Sequence, residues 1–451
     1  MKEETGRYQF GRRAFLRTAA AMGLGAAGAS AVGLASVTPA LAEEREPESF
    51  VGRRGHDFTL DNGVFYFAGT NNYYLHYQSE FMVDDVLKSA VAMGLPVMRT
   101  WGFLDGQGAN GFIMQSSPGV YPESGYERFD YTVWKAGQLG LKLVVPLVNN
   151  WNDFGGMNQY ITWFGATNHD DFYTNTDIKN AYKNYIRHFL HRKNRYTGRL
   201  MKDEPAIMTW ELANEPRCQS DPTGDTLFEW VREMSFFIKS QDQRHLVCVG
   251  DEGWLNIAGS TDWTRNGSQG VDWQRNNALP SIDYGTLHLY PDYWGQTNAW
   301  SLQWISDHIT YGHALKKPVV LEEYGWLDLT TRDTIYKGWT DAVYQQGGNG
   351  DQFWILTGLQ DDGTLYPNYD GFRVTYPSST ASVLSAHAAQ MQAGRGARRW
   401  QASPLQWGIL EASSRLSPLR TRRFGGAERT STSSPRGCPH VEAMLAIALL
   451  A

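Results

Sequence analysis

The feature that most constrains this fold is the regular alternation of short apolar runs with longer amphipathic stretches between residues 57 and 393. Eight of the runs are rich in β-branched and apolar residues and have the length of strands. They lie near residues 64–70, 96–101, 141–147, 206–212, 245–249, 281–288, 318–322 and 352–355. Because strands that alternate with helices form parallel sheets, this pattern predicts an α/β protein with a single (β/α)8 TIM barrel.

Seven amphipathic stretches between and after these strands have the length of helices. They cover residues 83–93, 130–139, 177–194, 226–240, 302–315, 331–345 and 379–391. The segment 253–280 is rich in Gly, Asn, Asp and Trp. We expect a long loop there, above the fifth strand, where a barrel carries its binding surface.

The first 42 residues are predicted to be a targeting signal and not part of the fold. The segment GRRAFLR (11–17) resembles a twin-arginine export signal, and residues 18–37 are rich in Ala and Gly and carry no charge. The segment ALA (40–42) fits the small-x-small rule for cleavage. The alternative is an uncleaved anchor helix, which the weakly apolar core disfavours. We therefore expect a secreted protein whose TIM-barrel domain covers residues 43–393.

The stretch 394–451 differs in composition from the rest of the chain. It contains nine Arg, three acidic residues and no Lys, and it shows neither strand nor helix periodicity. Two interpretations fit this composition: a flexible, disordered basic tail, or out-of-frame translation of a GC-rich gene. Under either one we expect no folded function. Its final apolar run is too short to span a membrane.

The bulk composition excludes some classes of function. The net charge of −6 gives no basic surface for nucleic acid. The three cysteines, Cys218, Cys248 and Cys438, form no CxxC pair, and no motif indicates a metal or an organic cofactor. Cys218 and Cys248 could pair after export, whereas Cys438 is expected to stay unpaired. We expect no membrane association after signal cleavage, and the oligomeric state stays open.

Two glutamates close predicted strands of the same barrel. Glu215 follows the fourth strand and Glu323 the seventh, 108 residues apart (323 − 215). Two carboxyls at strand ends of one barrel are the arrangement that glycoside hydrolysis requires, one as acid/base and one as nucleophile. The pair predicts a polysaccharide hydrolase.

Each glutamate has a neighbour that competes for its role. Pro216 cannot continue a strand, so Glu215 is expected at the barrel mouth, whereas Glu211 lies mid-strand and deeper. The structural alternative for Glu215 is a carboxylate that caps the next loop. Glu322 and Glu323 are adjacent, and since strand side chains alternate, only one is expected to face the mouth. We predict Glu323 as nucleophile and Glu322 as a structural residue paired with a base.

The two roles require different protonation states. Glu215 is expected to have a pKa raised by burial and by the Glu323 carboxylate, and Glu323 to be ionised. Arg99, at the end of the second strand among apolar neighbours, is the predicted cation beside Glu323. Tyr290 can donate a hydrogen bond to the nucleophile. His288 could tune the acid/base, although a lone His is more often a packing residue.

Tryptophan positions favour a sugar-binding cleft. Six of the 17 Trp lie at or just beyond predicted strand ends: Trp101, Trp151, Trp254, Trp294, Trp326 and Trp354. Core packing does not require indoles at these positions, whereas CH groups on a pyranose face stack on a π face.

These motifs, taken together, resemble glycoside hydrolase family 5, and within it the secreted endo-β-1,4-mannanases shared by fungi, plants and some bacteria. The resemblance runs along residues 57–393. It is carried by RTWG (99–102), VNNWNDFGG (148–156), WELANEPRC (210–218), GDEG (250–253), HLY (288–290), EEYG (322–325) and FW (353–354).

The resemblance implies Glu215 as acid/base and Glu323 as nucleophile of a retaining hydrolase. It also implies that Arg99, Asn214, His288, Tyr290 and Trp354 surround the sugar next to the scissile bond, with Trp354 as its platform. Arg217 is implied as a contact on the leaving-group side, and Trp101 and Trp151 are predicted to line the cleft. The export signal, unusual for fungal and plant relatives, indicates a bacterium.

Three alternatives remain at this point. A family 5 β-1,4-glucanase would use the same barrel and carboxyls on β-glucan in place of mannan, glucomannan or galactomannan. A non-catalytic carbohydrate-binding barrel would have lost a carboxyl, and both are present. A scaffold or adhesion protein would not need the Trp set at the barrel mouth. The tolerance of galactose branches and the number of subsites are not encoded in any motif.

Overall fold

A computed structural model describes residues 49–106 and 108–397 of the 451-residue chain. Eight parallel strands of this part form one sheet: β1 (Phe67–Asn71), β2 (Val97–Arg99), β3 (Lys142–Pro146), β4 (Ile207–Glu211), β5 (Leu246–Cys248), β6 (Gly285–Leu289), β7 (Val319–Tyr324) and β8 (Gly350–Phe353). Consecutive strands pair from β1 to β5 and from β6 to β8, and β8 pairs with β1. The predicted (β/α)8 TIM barrel is confirmed.

The barrel closes between β5 and β6 through single hydrogen bonds. The Asp283 N–H donates to the carbonyl of Val247 (2.7 Å), and the Asp283 carboxylate accepts from the Val247 N–H (2.8 Å). Further along β6, the His288 N–H donates to the carbonyl of Glu252 (3.1 Å). These bonds hold β6 against β5 and its loop. The carboxyl ends of the eight strands therefore form a ring, the place where barrel sites are built.

The helices follow the predicted pattern, with four additions. They are α1 (Glu80–Ala92), α2 (Glu127–Gln138), α3 (Gly156–Trp163), α4 (Asp171–Thr174), α5 (Thr176–His191), α6 (Asp225–Gln241), α7 (Trp273–Ala278), α8 (Pro291–Trp294), α9 (Asn298–Ala314), α10 (Arg332–Gln346) and α11 (Ser379–Ala397). All seven predicted helices are present. The missed ones, α3, α4, α7 and α8, have eight residues or fewer, too few for a helical period to show in the sequence.

A small antiparallel sheet ahead of β1 was not predicted. Its three strands are Gly52–Arg54, Asp57–Leu60 and Gly63–Val64, and we call it the N-terminal sheet. The strands have two to four residues, so no alternation of apolar and polar positions could reveal them.

The N-terminal sheet closes the end of the barrel opposite to the strand carboxyl ends. Phe58 of this sheet belongs to a buried cluster with Phe67, Val97 and Leu246, which are the first residues of β1, β2 and β5. The Phe58 ring packs edge-on against Tyr284, with centroids 5.1 Å apart. This cluster separates the barrel interior from solvent at the end where the strands begin.

The C-terminal helix ends beyond the predicted domain boundary. α11 continues to Ala397, four residues past 393. Leu384 and Met391 are buried in the core, and the Gln392 side-chain amide donates to the carbonyl of Gly94 (2.9 Å). The barrel domain therefore includes α11 as a whole. The predicted signal at 1–42, Cys438 and the tail beyond 397 lie outside the described residues.

Two further predictions concern cysteines and membranes. Cys218 and Cys248 are both buried free thiols, so the pairing that the sequence left open is not formed. Among residues 49–106 and 108–397, the helices all fall short of the length and apolarity that a bilayer crossing demands.

Candidate active site

Glu215 lies in a bent segment after β4. The strand ends at Glu211, so Glu215 is four residues beyond it and not at the strand end itself. Its φ of 53° is in the left-handed region, which residues with side chains rarely adopt. The Glu215 N–H donates to the carbonyl of Gly250 (2.8 Å). A Cβ at Gly250 would lie 2.1 Å from the carbonyl oxygen of Ala213, so only glycine allows these two loops to approach.

A β-bulge in β7 turns two adjacent glutamates into the barrel. β7 pairs regularly with β6 up to Leu321, and the next pair is Glu323 with His288. Glu322 is therefore the extra residue. The bulge interrupts the strand alternation assumed for the two glutamates, so both side chains enter the barrel, and Glu322 has the basic partners predicted for it. Both are buried and lie within 4 Å of Arg99 and His288.

Arg99, the last residue of β2, is fully buried beneath the two catalytic candidates. Its Nε and Nη2 each donate to one carboxylate oxygen of Glu211 at 2.7 Å. Its Nη1 donates to Glu323 and to Asn71 (3.1 Å), and Nη2 also donates to Asn214 (2.7 Å). The predicted cation beside Glu323 is therefore in place. Its guanidinium is enclosed by protein groups, so its contact with a sugar stays a prediction.

Glu323 is held from two sides and faces Glu215. The Tyr290 hydroxyl donates to Oε2 of Glu323 (2.7 Å), and Arg99 donates to Oε1. A carboxylate oxygen of Glu215 and one of Glu323 lie within 4.8 Å of each other. The two predicted catalytic groups, from different strands, thus share one small space.

His288 lies between three carboxyls. Its Nδ1 is 2.7 Å from Oε1 of Glu215 and 3.7 Å from Oε2 of Glu323. Its Nε2 is 3.4 Å from Oε2 of Glu322. The ring therefore connects the acid/base candidate with the bulged glutamate.

The predicted order of the two pKa values is wrong for the ligand-free site. Burial raises the pKa of Glu215, but the hydrogen bonds and charge of His288, with Arg217 and Trp151, bring that pKa below its ordinary value. Burial raises the pKa of Glu323 above its ordinary value, against the opposing charges of His288 and Arg99. The sequence analysis placed His288 near the acid/base candidate but could not give the direct contact of its Nδ1 with Glu215.

Trp151 binds the second oxygen of Glu215. Its Nε1 donates to Oε2 at 2.6 Å. The loop that carries Trp151 turns through Gly155 and Gly156, with φ of 97° and 58°. A Cβ at Gly156 would lie 2.0 Å from the carbonyl oxygen of Trp151, so the turn requires glycine. The motif VNNWNDFGG thus encodes the position of one indole.

Arg217 is fixed on the other side of Trp151. Its guanidinium lies between the indoles of Trp151 and Trp254, 5.1 and 5.2 Å from their centroids. Its Nε and Nη2 donate to Glu252 at 2.7 and 2.5 Å, and Nη1 donates to Gln269 (3.0 Å). An arginine held this firmly presents one orientation to a ligand.

Trp354 follows β8 and packs among aromatic rings. It stacks on Tyr73, with centroids 5.9 Å apart and planes at 22°, and its Nε1 donates to Asp370 (2.6 Å). The ring centroids of Trp101 and Trp354 are 5.8 Å apart, and the Arg99 guanidinium lies 4.8 Å from the Trp101 centroid. The structure thus brings Trp101, Trp354 and the buried cation together.

The other predicted cleft tryptophans do not all reach the mouth. Trp254 is 1% exposed, donates to Glu252 (2.7 Å) and packs against Trp294 and Trp304. Trp326 donates to Thr331 and lies against α10. The sequence argument for a stacking role is wrong for Trp254, because its indole fills the core under Arg217.

The remaining predicted residue, Asn214, binds protein groups on both sides. Its Oδ1 accepts from Arg99, and its Nδ2 donates to Asn149 (3.0 Å). An amide nitrogen carries two hydrogens, so one is left for a hydroxyl.

Four residues near the site were not predicted: Asn71, Tyr73, Glu252 and Asp370. Asn71 is the last residue of β1, and the strand-end rule applied to Arg99 would have found it. Glu252 follows β5 in a motif already noted. Tyr73 and Asp370 lie in loops with no periodic pattern, so no sequence signal distinguishes them.

Among the residues that the structure describes, two groups of side chains have the proximity of metal ligands. They are Glu211, Cys248 and Glu322, and Glu215, His288 and Glu323, with ligand atoms within 4.8 Å in each group. In both groups, carboxylate oxygens already accept hydrogen bonds from protein donors. The donor set therefore suits buried ion pairs better than a resident cation.

Comparison with known proteins shows the family of this chain. Residues 48–358 match the glycoside hydrolase family 5 β-mannosidase-like family. The chain is 35% identical over 375 residues to mannan endo-1,4-β-mannosidase 1 of Arabidopsis thaliana, covering 76% of this chain and 90% of the plant protein.

Two solved structures share both fold and sequence. An endo-β-1,4-mannanase from Thermotoga petrophila has 46% identity and a TM-score of 0.70, covering 74% of this chain and 78% of that one. An endo-1,4-β-mannanase from Rhizomucor miehei has 39% identity and a TM-score of 0.72, covering 76% of this chain and all of that one. This chain is a glycoside hydrolase that belongs to the β-mannosidase-like family within glycoside hydrolase family 5.

Proposed function

We propose that this enzyme is a retaining endo-β-1,4-mannanase that cleaves internal bonds of mannan, glucomannan and galactomannan. Glu323 attacks the anomeric carbon while Glu215 protonates the leaving oxygen, which gives a glycosyl-enzyme. Glu215 then takes a proton from water, and the resulting hydroxide displaces Glu323 from the sugar. No step requires a metal or an organic cofactor.

The observation that carries the mechanism is the separation of the two carboxyls. Retaining enzymes place them about 5–5.5 Å apart, and inverting enzymes about 6.5–9.5 Å, to leave room for water. An oxygen of Glu215 and one of Glu323 lie within 4.8 Å of each other, which supports the shorter of the two spacings. Proton NMR of the first product formed from a mannooligosaccharide tests this, since a retaining enzyme releases the β-anomer and an inverting one the α-anomer.

The contacts of Glu323 favour its role as nucleophile. Arg99 and Tyr290 donate to different oxygens of Glu323, which fixes the plane of the carboxylate. Glu215 instead accepts from His288 and Trp151, which can exchange partners when a sugar oxygen enters. A fixed carboxylate suits attack on carbon, and a titratable one suits proton transfer.

Sugar binding is proposed around Trp354 and Arg217. Trp354 is partly exposed and supported by Tyr73, so one indole face can stack under the sugar next to the scissile bond. Arg217, between two indoles and tied to Glu252, is proposed to contact a sugar on the leaving-group side.

The preference for mannan is drawn from the relatives, whose names are those of mannan-cleaving enzymes. Initial rates on galactomannan, glucomannan and carboxymethyl-cellulose, with products resolved by size, test it. We expect rapid mid-chain cleavage of both mannans and little of the cellulose. Equal or faster cellulose cleavage would make the enzyme a β-1,4-glucanase on the same barrel, and no hydrolysis of any of the three would leave a binding barrel.

We also propose that the enzyme is exported by a bacterium through a twin-arginine pathway. The support is the GRRAFLR segment at 11–17 and the ALA segment at 40–42. Replacement of Arg12 and Arg13 by lysine should retain the activity inside the cell. Export at the normal level by this variant would contradict the proposal.

A further inference from the structure

Glu322 has no part in double displacement, yet the β-bulge of β7 places it among the reacting groups. In a regular strand its side chain would point to the opposite face from Glu323. Bulges beside active sites characteristically re-aim one side chain. A buried carboxyl is costly unless it is paired, so its partners indicate what it does.

His288 is the principal partner left for Glu322. Oε2 of Glu322 lies 3.4 Å from His288 Nε2 and 3.8 Å from Arg99 Nε. That Arg99 nitrogen already donates to Glu211 at 2.7 Å. Oε1 of Glu322 has no hydrogen-bond partner among the described residues. Within the described part of the chain, the contact to the imidazole is therefore the one hydrogen bond of the Glu322 carboxyl.

The imidazole meets a carboxyl at each ring nitrogen. Nδ1 faces Glu215 at 2.7 Å while Nε2 faces Glu322. Neutral imidazole has one N–H and one lone pair, whereas imidazolium donates from both nitrogens. Two carboxylates on opposite sides of one ring therefore favour the doubly protonated form.

We propose that Glu322 is a positioning residue that keeps His288 protonated at both ring nitrogens, so that Glu215 works beside a fixed cation. The cation stabilises the carboxylate that Glu215 becomes when it gives its proton to the leaving oxygen. It therefore makes Glu215 a stronger acid. The effect on turnover rests on the proposed function, but the charge on His288 does not.

The surrounding charges agree with a cation at His288. The titratable groups that face it from other elements are Glu211, Glu215, Asp251, Glu252, Glu322 and Glu323. Tyr290 lies just beyond its own strand. Those that face Glu322 include Arg99, Glu211, Cys248, Asp251 and Tyr284. Burial lowers the pKa of His288, but Glu323, Glu215 and Glu322 together raise it well above the ordinary value.

The first test is the pH dependence of kcat/KM on mannohexaose for the wild type and Glu322→Gln. For Glu215 to act as an acid beside a cation, Glu215 and His288 must each carry a proton, so loss of the first of these two protons sets the basic limb. Removing the Glu322 charge makes His288 easier to deprotonate. We expect the basic limb of Glu322→Gln to move at least one pH unit lower, and that of Glu322→Asp to stay nearer the wild type.

The second test needs no substrate. Nitrogen-15 NMR of histidine-labelled protein distinguishes imidazolium from imidazole, and the His288 signals are identified by their loss in His288→Asn. In the wild type they should keep imidazolium shifts to a higher pH than in Glu322→Gln. This measurement decides the proposal even if the enzyme hydrolyses no mannan, which would refute the proposed function alone.

A matched control is Asp351→Asn. It removes another buried carboxylate that pairs with a different ring, His387, at 2.6 Å. We expect it to change stability and leave the basic limb in place. An equal loss of kcat at every pH in Glu322→Gln, or an unchanged His288 titration, would reduce Glu322 to a structural residue and overturn the proposal.

Discussion

Oxygens of Glu215 and Glu323 lie within 4.8 Å of each other, although 108 residues (323 − 215) separate them in the chain. Two different backbone distortions bring these carboxyls together. Glu215 is placed there by its own left-handed backbone conformation after β4, and Glu323 is placed there by the β-bulge in β7. Both distortions are local departures from regular structure at a functional site. The short distance is the basis for the predictions that concern catalysis.

Glu323→Ala should abolish nearly all hydrolysis, because it removes the carboxylate that forms the glycosyl-enzyme. Added azide should restore turnover of an activated aryl β-mannoside, with the azide entering from the face that Glu323 occupied. NMR of the product should therefore show an α-mannosyl azide. A β-azide, or substantial turnover without azide, would contradict the assignment.

Glu215→Ala should affect substrates according to their leaving group. General acid catalysis contributes about 10²–10⁴-fold, so cleavage of mannooligosaccharides should fall by about that factor. The first step on a dinitrophenyl glycoside needs no protonation and should fall far less, with the glycosyl-enzyme accumulating. Stopped-flow release of the phenol measures this burst. Equal losses on both substrates would argue against an acid/base role.

Asp370 should act through Trp354, whose Nε1 donates a hydrogen bond to the Asp370 carboxylate (2.6 Å). Hydrogen bonds to charged groups contribute about 1.5–3 kcal/mol, so Asp370→Ala should lower kcat/KM by about 10–100-fold. Trp354→Phe keeps a ring but removes the donor. In that background Asp370→Ala should have little further effect, which a double-mutant cycle on mannohexaose detects. Additive losses would show that Asp370 acts independently.

His387 should stabilise the fold more at acidic than at alkaline pH. Burial lowers its pKa, but the Asp351 carboxylate raises it above the ordinary value. A group whose pKa is raised on folding stabilises fully below its unfolded pKa of about 6.5. That stability is lost as the pH rises through the folded pKa. His387→Gln should therefore lower the free energy of unfolding by about 1–3 kcal/mol at pH 5.5, and less at pH 9. Urea melts at both pH values measure it.

Removal of residues 398–451 should leave activity and melting temperature unchanged. The boundary predicted from the sequence, 393, cuts inside α11, which continues to Ala397. A cut after Leu384 should instead destabilise the barrel, because it removes Ala388 and Met391 from the core. Calorimetry of both truncations separates these outcomes, and a large loss in the longer protein would show that the tail contributes.

Strand and helix positions were predictable because each has a strong period and lies in a repeated βα unit. Arg99, His288 and Tyr290 could be placed because strand ends meet in a ring. The bulge at Glu322 could not, since one extra residue leaves no mark on composition. The direction of the Glu215 pKa shift was mispredicted for a related reason. The pKa of Glu215 depends on its contact with a ring nitrogen of His288, which comes from a different strand. The sequence does not give the distance between the two groups.

The N-terminal sheet has a consequence for the order in which the chain becomes native during synthesis. Asn349, just before β8, donates its side-chain amide to the carbonyl of His56 (2.7 Å), and the Phe67 N–H donates to the carbonyl of Asn349 (3.3 Å). The N-terminal sheet thus leaves the ribosome nearly 300 residues before its partner Asn349 exists. Contacts this distant in sequence slow folding. A nascent chain stalled before β8 should therefore keep Phe58 accessible to a protease, and completion of β8 should protect it.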